Sequence, residues 1–207
     1  SNLISNSGTL RSADLDSVVV RNDKESSLQI INQGGTFTGS LDLNSPNAHN
    51  FSNVDSGLIE LGTTFNLGTH TGTVLDNQAM IIAGKLGGIH TSTITTGDFS
   101  SSNLLVVDAD KATSGTVTND LIVVDVNGRN NAIDLGGQIE TKWSQTTTMA
   151  SGDSGTLKFF ASANGETIDW SKAQATNNGV VAYTLRSSSA NDEMFLDYTV
   201  DYKGGTS

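Results

Sequence analysis

Along the first half of the chain, apolar and polar positions alternate with a period of two. Phe37, Gly39, Leu41 and Leu43 interleave with Thr38, Ser40 and Asp42, and Phe65 and Leu67 flank Asn66. That is the period of a strand rather than of a helix. Gly, Asn and Ser turns separate the short runs, where a βαβ fold would need helical stretches of about ten residues or more. A degenerate unit also recurs: Ile4-Ser5-Asn6-Ser7-Gly8, Ile30-Ile31-Asn32-Gln33-Gly34, Phe51-Ser52-Asn53 with Gly57, and Leu75-Asp76-Asn77. Its asparagines, Asn6, Asn32, Asn53 and Asn77, stand 26, 21 and 24 residues apart. Spacings of that length signal stacked structural repeats. An Asn at one place in every coil is positioned to hydrogen-bond along the stacking axis, as side-chain ladders do. The expected fold is all-β: a right-handed parallel β-helix.

From about Asp98 the pattern changes. Leu104-Leu105-Val106-Val107-Asp108 and Leu121-Ile122-Val123-Val124-Asp125 are near copies, more apolar than the earlier strands, and are expected to be buried on both faces. The C-terminal third concentrates bulky aromatics: Trp143, Phe159, Phe160, Trp170, Tyr183, Phe195, Tyr198 and Tyr202. Val181, Tyr183 and Leu185 share one strand face, as do Met194, Leu196, Tyr198, Val200 and Tyr202, and Ser187-Ser188-Ser189-Ala190-Asn191-Asp192 reads as a hairpin loop between them. A solenoid needs such an end, because its last coil exposes unpaired backbone and apolar core. Residues 1–97 are therefore read as coils and 98–207 as the last coils plus a cap, in one continuous solenoid. The expected cap core is Trp143, Phe159, Trp170, Tyr183, Leu185, Leu196, Tyr198 and Val200.

Composition narrows the function. Ser, Thr, Gly and Asn fill more than two fifths of the 207 residues, and the acidic residues are mostly Asp. This mix favours turns and strands over a helical bundle. A net charge of −11 with only 11 Lys plus Arg argues against nucleic-acid binding and against an electrostatic membrane anchor. With no Cys, disulfide scaffolds, thiolate zinc sites and cysteine nucleophiles are excluded. No apolar run is long enough to cross a bilayer as a helix, so no membrane insertion is expected. The abrupt strand-like start and the tail Lys203-Gly204-Gly205-Thr206-Ser207 read as the limits of a piece excised from something longer.

Several blocks resemble one family. Thr36-Phe37-Thr38-Gly39-Ser40-Leu41-Asp42-Leu43, Asn50-Phe51-Ser52-Asn53 and Gly62-Thr63-Thr64-Phe65-Asn66-Leu67-Gly68 look like coils of bacterial autotransporter passenger domains. Asn119-Asp120-Leu121-Ile122-Val123-Val124 resembles that family's Asp-(Arg/Lys)-Leu-Val-Val strand. The run from Val180 to Leu185, followed by 190–196 and 198–202, is similar to the segment before the translocator barrel. The resemblance implies a stalk on the bacterial surface or secreted, carried across the outer membrane by a C-terminal translocator β-barrel that is not in this chain. It further implies an autochaperone-like last region that folds first and templates the coils.

Candidate chemistry is sparse. Gly152-Asp153-Ser154-Gly155 matches the nucleophile motif of chymotrypsin-like proteases, but Thr156 replaces the following Gly and no His or Asp partner stands in a suitable context, so it reads as a polar hairpin turn. His49, His70 and His90 recur about once per coil, yet their neighbours differ, and exposed turns are a better reading than a metal ladder. Asp14 with Asp16, and Asp108 with Asp110, are the carboxylate clusters a polysaccharide-active β-helix enzyme would use; only Lys111 lies beside either. Gly84-Lys85-Leu86-Gly87-Gly88 lacks the arrangement of a phosphate loop and reads as a turn. No catalytic residue, metal or cofactor is assigned. The expected role is a non-enzymatic stalk and folding-promoting end. The competing readings are an adhesin that binds host cells or glycans through the coil surface and a β-helix enzyme fragment.

Overall fold

Apolar residues at every second position turn to one side of each strand, and Gly- and Asn-containing turns return the chain. The computed structural model describes residues 2–22, 25–43 and 46–202, which form β-strands and no helix. The expected tail Lys203-Gly204-Gly205-Thr206-Ser207 lies outside the described residues.

One sheet is wholly parallel. It holds, in order, β1 (Asn2–Asn6), β4 (Leu28–Gln33), β6 (Asn50–Val54), β8 (Val74–Asn77), β11 (Asp98–Ser101), β15 (Ile133–Leu135) and β18 (Ile168–Asp169). The second sheet has 14 strands and is mixed. It contains two parallel files, because β5 (Thr36–Asp42) and β7 (Leu58–Asn66) each span both. The first halves of β5 and β7 share a file with β2 (Thr9–Arg11), β9 (Met80–Ala83), β12 (Leu104–Lys111), β16 (Gly137–Trp143) and β19 (Ala173–Thr176). Their second halves share the other with β3 (Val18–Arg21), β10 (Thr91–Thr95), β14 (Leu121–Asp125) and β17 (Ser154–Ser162). In chain order, the parallel strands from β4 to β17 visit the parallel sheet, then the first file, then the second, and begin again.

Glycines permit the bend within β5 and β7. Gly39 has φ 136°, and a Cβ there would stand 2.1 Å from Ser12 Oγ; a Cβ at Gly62 would stand 2.2 Å from the Ser40 nitrogen. No other residue fits either contact without displacing a neighbour.

Register lines up like residues. Across the parallel sheet Ile4, Ile30, Phe51, Leu75, Phe99, Ile133 and Ile168 form one row. Across the first file, Leu10, Phe37, Ile59, Ile81, Leu105, Ile139 and Ala175 form another. Both rows supply residues to a single apolar core. The rings of Phe37, Phe51 and Phe65 meet there at 5.1 to 5.8 Å, so the aromatic core is not confined to the C-terminal third where the sequence concentrates its rings. Phe alternating with small polar residues is enough to place each ring inward.

The direction reverses at the C-terminal end. β21 (Glu193–Val200) runs antiparallel to β17 and to β20 (Val181–Ser187), and β13 (Val117–Asn119) folds back antiparallel onto β12. Pairing crosses position 97/98 in both sheets: β11 joins β8 to β15, and β10 joins β7 to β14. The two near copies differ. Residues 105–108 are buried on both faces, with Asp108 accepting from the Gly87 nitrogen of loop 84–90, but Leu121, Val123 and Asp125 are only half-buried.

Candidate functional site

The repeated asparagines fill the register row two residues beyond the apolar row of the parallel sheet. Asn6 Nδ2 donates to Asn32 Oδ1 at 2.9 Å, Asn32 to Asn53 at 2.9 Å, and Asn53 to Asn77 at 2.8 Å. The series ends as Asn77 Nδ2 donates to Ser101 Oγ at 3.1 Å, and the next position in the row is Leu135. Each amide also closes a turn. Asn53 Nδ2 donates to the Gly57 and Met80 carbonyls at 3.0 and 2.9 Å, and Asn32 Nδ2 to those of Gly35 and Leu58. Gly57 is required beside the ladder, since its Cβ would lie 2.2 Å from Asn53 Oδ1. Asn32, Asn53 and Asn77 are fully buried, and each satisfied amide removes a desolvation cost of about 1–3 kcal/mol.

Of the cap residues singled out in the sequence, Phe159, Leu196, Tyr198 and Val200 are buried, and Tyr183 is just within that class. Trp143, Trp170 and Leu185 pack against the core but remain half-buried. Tyr202 is exposed, as it falls beyond the end of β21. Trp143 Nε1 donates to Tyr183 Oη at 2.8 Å and its ring meets Tyr198 edge-on at 5.0 Å. On the outer face of the hairpin Arg186 forms a two-pronged contact with Asp197 at 2.8 and 3.1 Å, which holds that carboxyl below the usual range.

Three carboxylates clamp loop 84–90 through its backbone. Glu60 Oε2 accepts from the Leu86 nitrogen at 2.8 Å, Asp108 Oδ2 from Gly87 at 2.7 Å, and Asp120 Oδ1 from His90 at 2.9 Å. The other oxygen of Asp120 accepts from the Asp108 nitrogen at 2.9 Å. Burial raises both Asp108 and Asp120, the latter to about 8. Asp120 was legible only as a strand-leading residue; an Asp inside the apolar run 104–109 was the available signal for its partner Asp108. Asp110, paired with Asp108 in the sequence reading, instead accepts from Thr147 Oγ1 at 3.0 Å.

Beside this clamp lies a cleft of about 490 Å³, lined by Ile89, Asp108, Asp110, Lys142, Trp143 and Gln145 among others. Register places Asp108 opposite Lys142 on adjacent parallel strands. Lys142 and Gln145 are exposed and form no side-chain hydrogen bond or ion pair among the described residues.

The other sequence candidates are accounted for locally. Asp14 accepts from the Asp16 and Ser17 nitrogens and from Ser17 Oγ, forming a turn. His49 is fully buried rather than in an exposed turn; its Nδ1 accepts from the Leu28 nitrogen at 2.9 Å, and burial lowers its pKa. His90 Nε2 contacts Thr63 Oγ1 at 3.0 Å, and His70 Nδ1 lies 2.6 Å from the Thr71 carbonyl. The described residues contain no group of three metal-ligating side chains. Gly152-Asp153-Ser154-Gly155 is a turn leading into β17, though not a hairpin, because β16 and β17 do not pair. There Asp153 binds Lys111 at 2.7 Å. Compared with family models, curated proteins and solved structures, the chain matches none.

Proposed function

We propose that the chain is a right-handed parallel β-helix serving as the stalk and folding-promoting end of a bacterial autotransporter passenger, displayed on the cell surface through a translocator β-barrel. Residues 1–97 supply coils, and 98–207 supply the last coils and an autochaperone-like cap. The observation that carries this reading is the contrast between strand directions: parallel files stack in register along the chain, then an antiparallel triplet, β17–β21–β20, closes them. Right-handed crossings are the strong preference for parallel strands in one sheet. An antiparallel hairpin forms from local contacts and so closes quickly, whereas each parallel pair must join residues more than twenty positions apart. A hairpin at one end is therefore the natural nucleus from which an array propagates.

The test is surface display. The chain is fused ahead of a translocator barrel in a Gram-negative host, and its accessibility to added protease is measured. The parent should reach the surface. Leu196→Asp, which breaks the hairpin core, should block display far more than Asn53→Ala, even when both variants lose similar equilibrium stability. Equal display of the two would refute the folding role.

A further inference from the structure

The geometry points to the cleft between loop 84–90 and the ends of β12 and β16 as a binding site for a neutral saccharide chain. Its volume of about 490 Å³ lies in the range of ligand sites, ~300–1,000 Å³. What distinguishes it is the mixture of hydrogen-bonding groups left open. Lys142 and Gln145 bring ammonium and amide donors whose side chains form no hydrogen bond or ion pair among the described residues, and Thr147 occupies only one oxygen of Asp110. Asp108 is buried and held by the Gly87 nitrogen at 2.7 Å, so it lends negative charge beside Lys142, which it faces in register, rather than an open acceptor. A hydroxyl both donates and accepts, so a vicinal diol can bridge the remaining oxygen of Asp110 and the Lys142 ammonium on the neighbouring strand, as no simple cation or anion can.

Apolar surface complements these groups. Ile89 is 41% exposed at the lip, and Trp143 contributes to the wall with its indole N–H already committed to Tyr183, so it adds carbon rather than a competing donor. A pyranose presents the same pairing of hydroxyls and C–H surface. Charge selects among sugars: two carboxylates face one lysine in a chain of net charge −11, so acidic saccharides are repelled. The site stands independently of how the chain reaches its location.

A second cleft of about 520 Å³ contains Trp170 and Asp169 but no cation, and Asp169 is already bound by the Ser171 nitrogen and Oγ at 3.1 and 2.8 Å. It serves as an internal control. The experiment maps amide shifts of the whole chain during titration with laminaritetraose, maltotetraose and fully N-acetylated chitotetraose, and with tetragalacturonate as the acidic comparator. At least one neutral tetramer should give saturable shifts at 108–110 and 142–145 in the millimolar range, with little response at 168–171. Lys142→Ala and Gln145→Ala, which touch only solvent-facing groups, should each weaken binding by about three- to tenfold. Trp170→Phe should leave binding unchanged. No saturable shift with any neutral tetramer, equal or tighter binding of tetragalacturonate, or unchanged affinity in both the Lys142 and Gln145 variants would overturn the assignment.

Discussion

From β1 to β8 the interior beside the parallel sheet is divided between an apolar row and a row of buried amides; from β16 onward the core holds Trp143, Phe159, Tyr183 and Tyr198 against a reversed strand pair. Both regions must fix strand register, because a slip by one residue turns every inward side chain outward. The N-terminal region does so with amides that satisfy only one alignment, each Nδ2 meeting the next Oδ1. The C-terminal region relies on a hairpin, whose loop sets the register locally, and on aromatic contacts that bury large areas. The amide device is specific but intolerant. The aromatic device is more tolerant and has less need of periodic sequence.

The sharpest way to break this contrast is Asn53→Asp. The carboxylate would face the Gly57, Met80 and Asn77 oxygens with no proton to donate, inside a fully buried site. We expect a loss of about 4–5 kcal/mol. Both tryptophans, Trp143 and Trp170, lie in the C-terminal region, so Trp fluorescence reports there while far-UV circular dichroism reports on all strands. In Asn53→Asp the dichroism should fall at lower denaturant than the fluorescence; coincident transitions would mean that the two regions fold as one unit. The next largest effect is Leu196→Ala, at about 3 kcal/mol for a fully buried leucine, and here both signals should shift together if the hairpin supports the array. Trp143→Phe should cost about 1 kcal/mol by removing the hydrogen bond to Tyr183, and only the fluorescence-monitored transition, followed through Trp170, should record most of it.

The ladder was legible because a row of stacked side chains imposes a recurrence at the length of the repeat, and Asn6, Asn32, Asn53 and Asn77 keep it. The hairpin was legible from alternation at 181–185 and 194–200 around a Ser-rich loop. The bends in β5 and β7 were not, since Gly39 and Gly62 look like ordinary strand glycines until Ser12 and Ser40 are placed against them. Nor was the clamp on loop 84–90. It joins Glu60, Asp108 and Asp120 to backbone nitrogens 21 to 30 residues away, contacts that follow no repeat and carry no side-chain signature on the loop. The cleft beside it was invisible for the same reason.

That clamp gives an effect spread over pH and tests whether the middle of the molecule belongs with either end. Burial raises Asp120 to about 8, above the unfolded value of ~3.9. The folded chain therefore keeps a proton that the unfolded chain releases. Stability from this group is fully present below the unfolded pKa and declines as pH rises toward about 8, the reverse of an ion-paired Asp such as Asp197. One proton limits the slope to ~1.4 kcal/mol per pH unit, and the two N–H donors on its oxygens, from Asp108 and His90, oppose the rise in pKa without cancelling it. Denaturation midpoints measured from mildly acidic pH to pH about 8 should fall in the parent and stay flatter in Asp120→Asn, whose amide keeps one of the two acceptor contacts at a fixed cost of about 1–3 kcal/mol. If the fall appears in the dichroism but not in the fluorescence, the clamp stabilises the ladder region alone; a fall in both places it at the junction where β10, β12 and β14 carry the pairing from one region to the other.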